Sequence, residues 1–274
     1  MLALFPSTLS PMLMMFSCMI IGFILNKTKR CPDNTSTVLS KLEANAFAPA
    51  LTISTFSKYC TVESLSQQYM LILCSLLILA IAIGLAFALS PLFAKKSYSR
   101  NVYRYALTFG NFGFMGNAIV PAILGDAALY QYMLFTLPLN LTVYTWGIAS
   151  LIPKGEQKEH PLKNLLNPSM FAVVIGMALG LTGASQYVPA FISNTLTKLG
   201  GCMSPVAMVL TGFLIGQYPL KKILTDKKVY IASFLRLLVL PLLFVFILKL
   251  IGVEENIIIM YMFAFGTPLG LYTV

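Results

Sequence analysis

Charge is what this 274-residue chain has least of. Asp, Glu, Lys and Arg together make up 10% of it, where a soluble domain carries roughly 25%. It has nine acidic residues, one histidine (His160) and one tryptophan (Trp146). His160 falls in a central loop, so no apolar segment holds a Ser–His pair for nucleophilic catalysis. No segment carries paired aspartates, and no His, Cys or carboxylate cluster has metal-ligand spacing. We therefore expect no enzymatic activity, no cofactor and no metal. Five cysteines (Cys18, Cys31, Cys60, Cys74, Cys202) include no C-x-x-C pair, and they read as small buried hydrophobes. The first 26 residues contain no Lys or Arg and no small-residue cleavage site. The N-terminal apolar stretch is thus expected to be a retained span, not a signal peptide.

What the chain has instead is apolar length. Hydrophobic residues reach 58% and the mean hydropathy is +0.81. Runs of about 20 apolar residues read as membrane spans. About nine are expected, near 7–26, 38–57, 69–93, 102–124, 129–152, 168–185, 201–218, 229–251 and 256–274. Residues 186–200 are less apolar and are expected to form a short interfacial helix before the seventh span. The net charge of +10 does not imply nucleic acid, because the charges cluster in short loops between apolar runs. One alternate set of loops holds Lys27, Lys29, Arg30, Lys41, Lys95, Lys96, Arg100, Arg104, Lys154, Lys158, Lys163, Lys221, Lys222, Lys227 and Lys228. The opposite set holds only Lys58, Lys198 and Lys249. The positive-inside rule places the rich set in the cytoplasm and the N-terminus outside. Trp146 and tyrosines near span ends fit interfacial anchoring. Val274 lies inside an apolar run, so a further span is expected beyond it.

Polar and flexible residues inside spans point to a site. The run Thr108-Phe-Gly-Asn-Phe-Gly-Phe-Met-Gly-Asn117 places Gly110, Gly113, Gly116, Asn111 and Asn117 within a fourth span. Each Gly weakens a helix by about 1 kcal/mol relative to Ala. Unpaired amides at that depth cost several kcal/mol. Six residues apart, Asn111 and Asn117 lie about 120° apart on an ideal helix, so a shared cavity requires unwinding between them. Close helix packing through the glycine ridge is the competing reading. The ninth span carries Gly266, Thr267, Pro268, Gly270 and Thr273. There a simple proline kink competes with a broken, substrate-facing helix. Asn45 and Pro49 in the second span could add polar wall, as could Ser204 and Pro205 in the seventh. Interhelical hydrogen bonding explains them equally well.

The halves resemble each other. Lys41-Leu precedes Pro49 in the second span, and Lys198-Leu precedes Pro205 in the seventh. Pro91 and Pro241 interrupt the third and eighth, and Gly beside polar residues marks the fourth and ninth. An offset of five spans inverts the second copy, the sequence mark of many secondary transporters. We expect a first five-helix repeat over 1–152, a cytoplasmic linker over 153–167, and a second repeat over 168–274 lacking its last helix. Two charges need placing. Glu43 is expected to reach the interface, which leaves no mid-span carboxylate for a proton relay. Arg236, inside the eighth span, is expected to snorkel to the cytoplasm in preference to pairing with an anionic substrate.

Gly110-Asn-Phe-Gly-Phe-Met-Gly116 with Ile-Leu-Gly125-Asp126 resembles the fourth-span signature of the auxin efflux carrier family. Phe265-Gly-Thr-Pro-Leu-Gly-Leu271 resembles its ninth-span motif. Leu199-Gly, Ser204-Pro-Val-Ala207 and Leu210-Thr-Gly212 resemble its seventh. The resemblance implies an all-α membrane protein with a ten-span, inverted-repeat (5+5) transporter fold. In that fold the fourth and ninth helices are broken and cross at the bilayer centre. It also implies a small organic anion as substrate, a dicarboxylate or auxin-like acid, with Asn111 at the crossing. Asn117, Gly110, Gly113, Gly116, Asn45, Thr267, Pro268 and Gly270 are the remaining candidate substrate-binding residues. The short central loop is similar to that of the bacterial members, implying the bacterial cytoplasmic membrane. A coupling ion and a homodimer stay open as partners beside the lipid bilayer. Alternatives are a sodium-coupled symporter of another substrate on this fold, or a receptor that binds without flux. Two positions depart from the family pattern: Ala118, where many members have proline, and Thr273, where the plant members have a second one. The break must then rest on glycine.

Overall fold

The computed structural model describes residues 4–152, 161–219 and 227–268, and all regular structure among them is helical. The helices are α1 (Leu4–Lys27), α2 (Thr35–Leu42), α3 (Ala48–Tyr59), α4 (Val62–Phe93), α5 (Ser97–Thr108), α6 (Asn117–Leu124) and α7 (Asp126–Thr142). They continue as α8 (Ile148–Leu151), α9 (Pro168–Leu181), α10 (Ala190–Gln217), α11 (Lys227–Phe234), α12 (Leu240–Leu250) and α13 (Glu255–Phe265). Leu9–Lys27, Val62–Phe93, Asp126–Leu151, Ala190–Gln217 and Tyr230–Leu250 are long and apolar enough to cross a membrane. Shorter apolar helices occupy Phe112–Leu124, Pro168–Leu181 and Glu255–Phe265.

Four π turns interrupt the α geometry, at Glu43–Phe47, Phe112–Gly116, Val143–Gly147 and Leu235–Val239. Two have a direct covalent cause. Pro49 and Pro241 each stand two residues past a π turn. A proline has no N–H and its ring clashes with the carbonyl four residues back. Widening the preceding turn relieves that clash while keeping the helix continuous.

One expectation changes. Residues 186–200 do not form a separate interfacial helix. A 3-10 turn at Ala184–Tyr187 leads through Pro189 into α10, which then runs unbroken for 28 residues. Gly200 survives inside it because α3 lies close: a Cβ there would stand 2.8 Å from Leu51 Cα.

The described helices group into two compact units, each drawn from both halves of the sequence. The first unit comprises residues 1–66, 117–130 and 167–225. In it α1 packs along α10 and α3 along α9. The contacts are close enough that a Cβ on Gly212 would collide with Met19 O, and one on Gly180 with Cys60 O. Small residues that let backbones approach are the usual glue of membrane helices. The second unit comprises 67–116, 131–166 and 226–274. Ala86, Leu107 and Leu240 form a buried cluster there, flanked by Leu85, Leu89, Phe93 and Leu235. Trp146 stacks on Phe87 with centroids 5.9 Å apart and also packs on Phe109, so it is part of this unit's interior packing.

Candidate functional site

The fourth span breaks at Phe109. Helix α5 ends at Thr108, and Phe109 is extended at φ −108°, ψ 130°. The chain becomes helical again after Asn111, whose carbonyl accepts from Met115 N (3.0 Å) and Gly116 N (3.2 Å) through the π turn Phe112–Gly116. The loss of helix thus precedes Asn111, and a widened turn lies between it and Asn117. Both Asn111 Oδ1 and Asn117 Oδ1 are buried without a hydrogen-bond partner.

The ninth span breaks at the same place within the second unit. Helix α13 ends at Phe265, and Asn111 N donates to Pro268 O at 2.5 Å. The two interruptions therefore meet backbone to backbone. Gly110 permits the meeting: a Cβ there would stand 2.5 Å from Thr267 Oγ1 and 2.8 Å from an Arg236 nitrogen. Thr267 is buried and its hydroxyl donates to Ala264 O (3.2 Å), satisfying one carbonyl of the helix end. Gly116 is crowded by the Tyr132 hydroxyl, which donates to Phe112 O at 2.9 Å and lies 3.4 Å from Phe263 O. Tyr132 is fully buried and ties both broken spans together.

Arg236 overturns its expected placement. It does not snorkel: it is only 6% exposed, lies in the π turn Leu235–Val239, and its Nη1 donates to Phe265 O. The C-terminal end of α13 carries partial negative charge, which favours a cation there. Nε and Nη2, the two donors along one edge of the guanidinium, have no partner. That edge is the fork that matches a carboxylate with two parallel hydrogen bonds. Arg236 also lines a cavity of about 290 Å³ with Ala106 and Leu107 of α5, Ser233 and Leu237 beside it, and Pro268. The size is at the lower end of small-molecule pockets. A positive charge well inside a span was a visible signal for this residue. Nothing in the sequence marked Tyr132.

The remaining candidates fall elsewhere. Gly113 sits within the π turn. Asn117 and Asn45 belong to the first compact unit, and Asn45 is exposed, its amide donating to Lys41 O at 2.7 Å. Gly270 and Thr273 lie outside the described residues, as does His160. Among the described residues no group of three or more His, Cys, Asp or Glu could hold a metal ion.

Several apolar helices of spanning length, with helices interrupted amid apolar sequence, make up a multi-pass membrane protein. The membrane transport protein family model matches residues 7–161 and 157–273. The chain belongs to that family, the auxin efflux carrier family, which is one of transporters and not of enzymes. No curated protein matches the chain.

Proposed function

We propose that this protein is a secondary transporter of a small organic anion, a dicarboxylate or auxin-like acid, working by alternating access. The observation that carries the reading is the unpartnered edge of the buried Arg236 guanidinium beside the meeting of two broken helices. A cation held in a low-dielectric interior without a counter-ion is strongly unfavourable. A carboxylate bound to Nε and Nη2 supplies the missing partner. The same substrate reaches the start of the helical segment 112–124, where backbone donors and the positive dipole end favour an anion. Asn111 adds a polar contact, while Gly110 and Thr267 set the space. Gly113 and Gly116 keep the segment deformable. Pro268 holds the ninth-span break open.

The wider architecture follows from the same reading. The protein is a ten-span, 5+5 inverted repeat with its N-terminus outside, placed in a bacterial cytoplasmic membrane. The composition of the compact units supports this. The first takes the first, second, sixth and seventh spans, and the second takes the third, fifth, eighth and ninth. The first and sixth, the second and seventh, and the third and eighth stand five apart, as an inverted repeat requires, while the fourth span is divided between the units at Gly116.

The test is flux. Full-length protein in proteoliposomes is given labelled malonate, malate or indole acetate. Uptake above empty liposomes, lost in Arg236→Gln, supports the reading. Equal flux in Arg236→Gln removes the proposed carboxylate site, and binding without flux makes the protein a receptor.

A further inference from the structure

One buried charge is not absorbed by that site. Glu43 is 0% exposed, and both of its carboxyl oxygens lack a hydrogen-bond partner. It opens the π turn Glu43–Phe47 in the first compact unit, where it packs against α2, α3, α9 and α10. This reverses the expectation that Glu43 reaches the interface. Among the described residues, Glu43 and Arg236 are the buried charged side chains, and each lies in a π turn. Such turns are frequent at functional sites.

The surroundings define what Glu43 can bind. The ionisable groups on the elements packed against it are Lys41 on α2, Lys58 and Tyr59 on α3, and Lys198 and Cys202 on α10; α9 has none. All three lysines and Cys202 are exposed, so no cation is buried with the carboxyl. Lys58 is four helical turns further along the chain. A hard metal ion needs about six oxygen ligands, and no acidic cluster is present here among the described residues. A lone carboxyl in apolar surroundings can take up one ion without other ligands, the proton.

We propose that Glu43 is the proton-carrying group of the transport cycle. Packed as in this structure, it is the neutral acid. When the π turn opens to water, the O–H bond breaks, its electron pair stays on the carboxylate, and the proton passes to water. Closing requires a proton to be taken up from water again. The coupling rests on the transporter reading above, but protonation of Glu43 can be measured without any substrate.

The experiment therefore has two arms on the full chain in lipid. In the first, infrared spectra at neutral pH are compared for the native protein and Glu43→Gln. A protonated-carboxyl stretch is expected in the native protein and absent in the variant. No such band, or a band that persists in Glu43→Gln, overturns the proposal. In the second, malonate flux is driven by a pH gradient in sodium-free buffer. Several-fold stimulation is expected in the native protein and in Glu43→Asp, with none in Glu43→Gln at retained basal flux. Equal stimulation in Glu43→Gln, or an absolute requirement for sodium, overturns it. Trp146 fluorescence melting checks that the variants are folded. If no tested acid is transported, the function reading fails, and the infrared arm still decides Glu43.

Discussion

The two compact units use glycine for opposite ends. In the first, glycines remove side chains so that intact helices can touch: Gly212 meets the backbone of Met19, and Gly176 would place a Cβ 2.8 Å from Phe56 Cβ. In the second, Gly110 clears room where two helices have stopped, and its two nearest neighbours are the tips of Thr267 and Arg236, with the backbone oxygen of Ala264 next at 3.0 Å. A rigid backbone contact cannot yield to an added methyl group, whereas side-chain tips can move. The first unit is thus built for tight packing. The second leaves one edge of the Arg236 guanidinium unpaired beside a cavity, whereas the unpaired oxygens of Glu43 in the first are packed among helices.

That contrast can be broken by mutation. Gly212→Leu should cost about 3 kcal/mol or more by overpacking, read as loss of monodisperse protein and a lower thermal midpoint in detergent. A full-strength melt in this variant would undo the close-packing account. Arg236→Gln should lower transport by roughly 100-fold, the scale of losing a buried charged contact. Its thermal midpoint should hold or rise, since a buried charge without a counter-ion is removed. Asn111→Ala should reduce kcat/KM for the transported acid by about tenfold, one hydrogen bond to a charged ligand; unchanged transport removes Asn111 from the site. Tyr132→Phe deletes the bond to Phe112 O and should cost about 1 kcal/mol of stability. Asn45→Ala sharpens the comparison from the other side. Its amide is tied to its own helix at an exposed position, so flux and melting should both stay within about 0.5 kcal/mol of native.

Much of the site was legible as a pattern of misfits. Gly110 and Asn111 stand out because nothing in a lipid-exposed helix wants them, and Thr267 with Pro268 stands out for the same reason. Their meeting through Asn111 N and Pro268 O joins residues more than 150 positions apart, and no local rule supplies that. Arg236 and Glu43 were both read as reaching water, because long side chains near span ends usually do. Each instead lies in a π turn that rotates it inward. The prolines behind those turns were visible; the direction of the rotation was not. Asn117, next to the same glycines, belongs to the other compact unit because the unit boundary falls at Gly116.

The sequence by itself determined the solvent, the helical segments and the positions where helices fail. Apolar length, charge scarcity, glycine and proline act locally and leave a local record. Tertiary structure alone decided which failures meet, which charges are buried, and that the compact units cut across the two halves of the chain. Those outcomes depend on contacts between segments far apart in sequence, where burial and hydrogen-bond satisfaction are settled jointly by every helix that packs there.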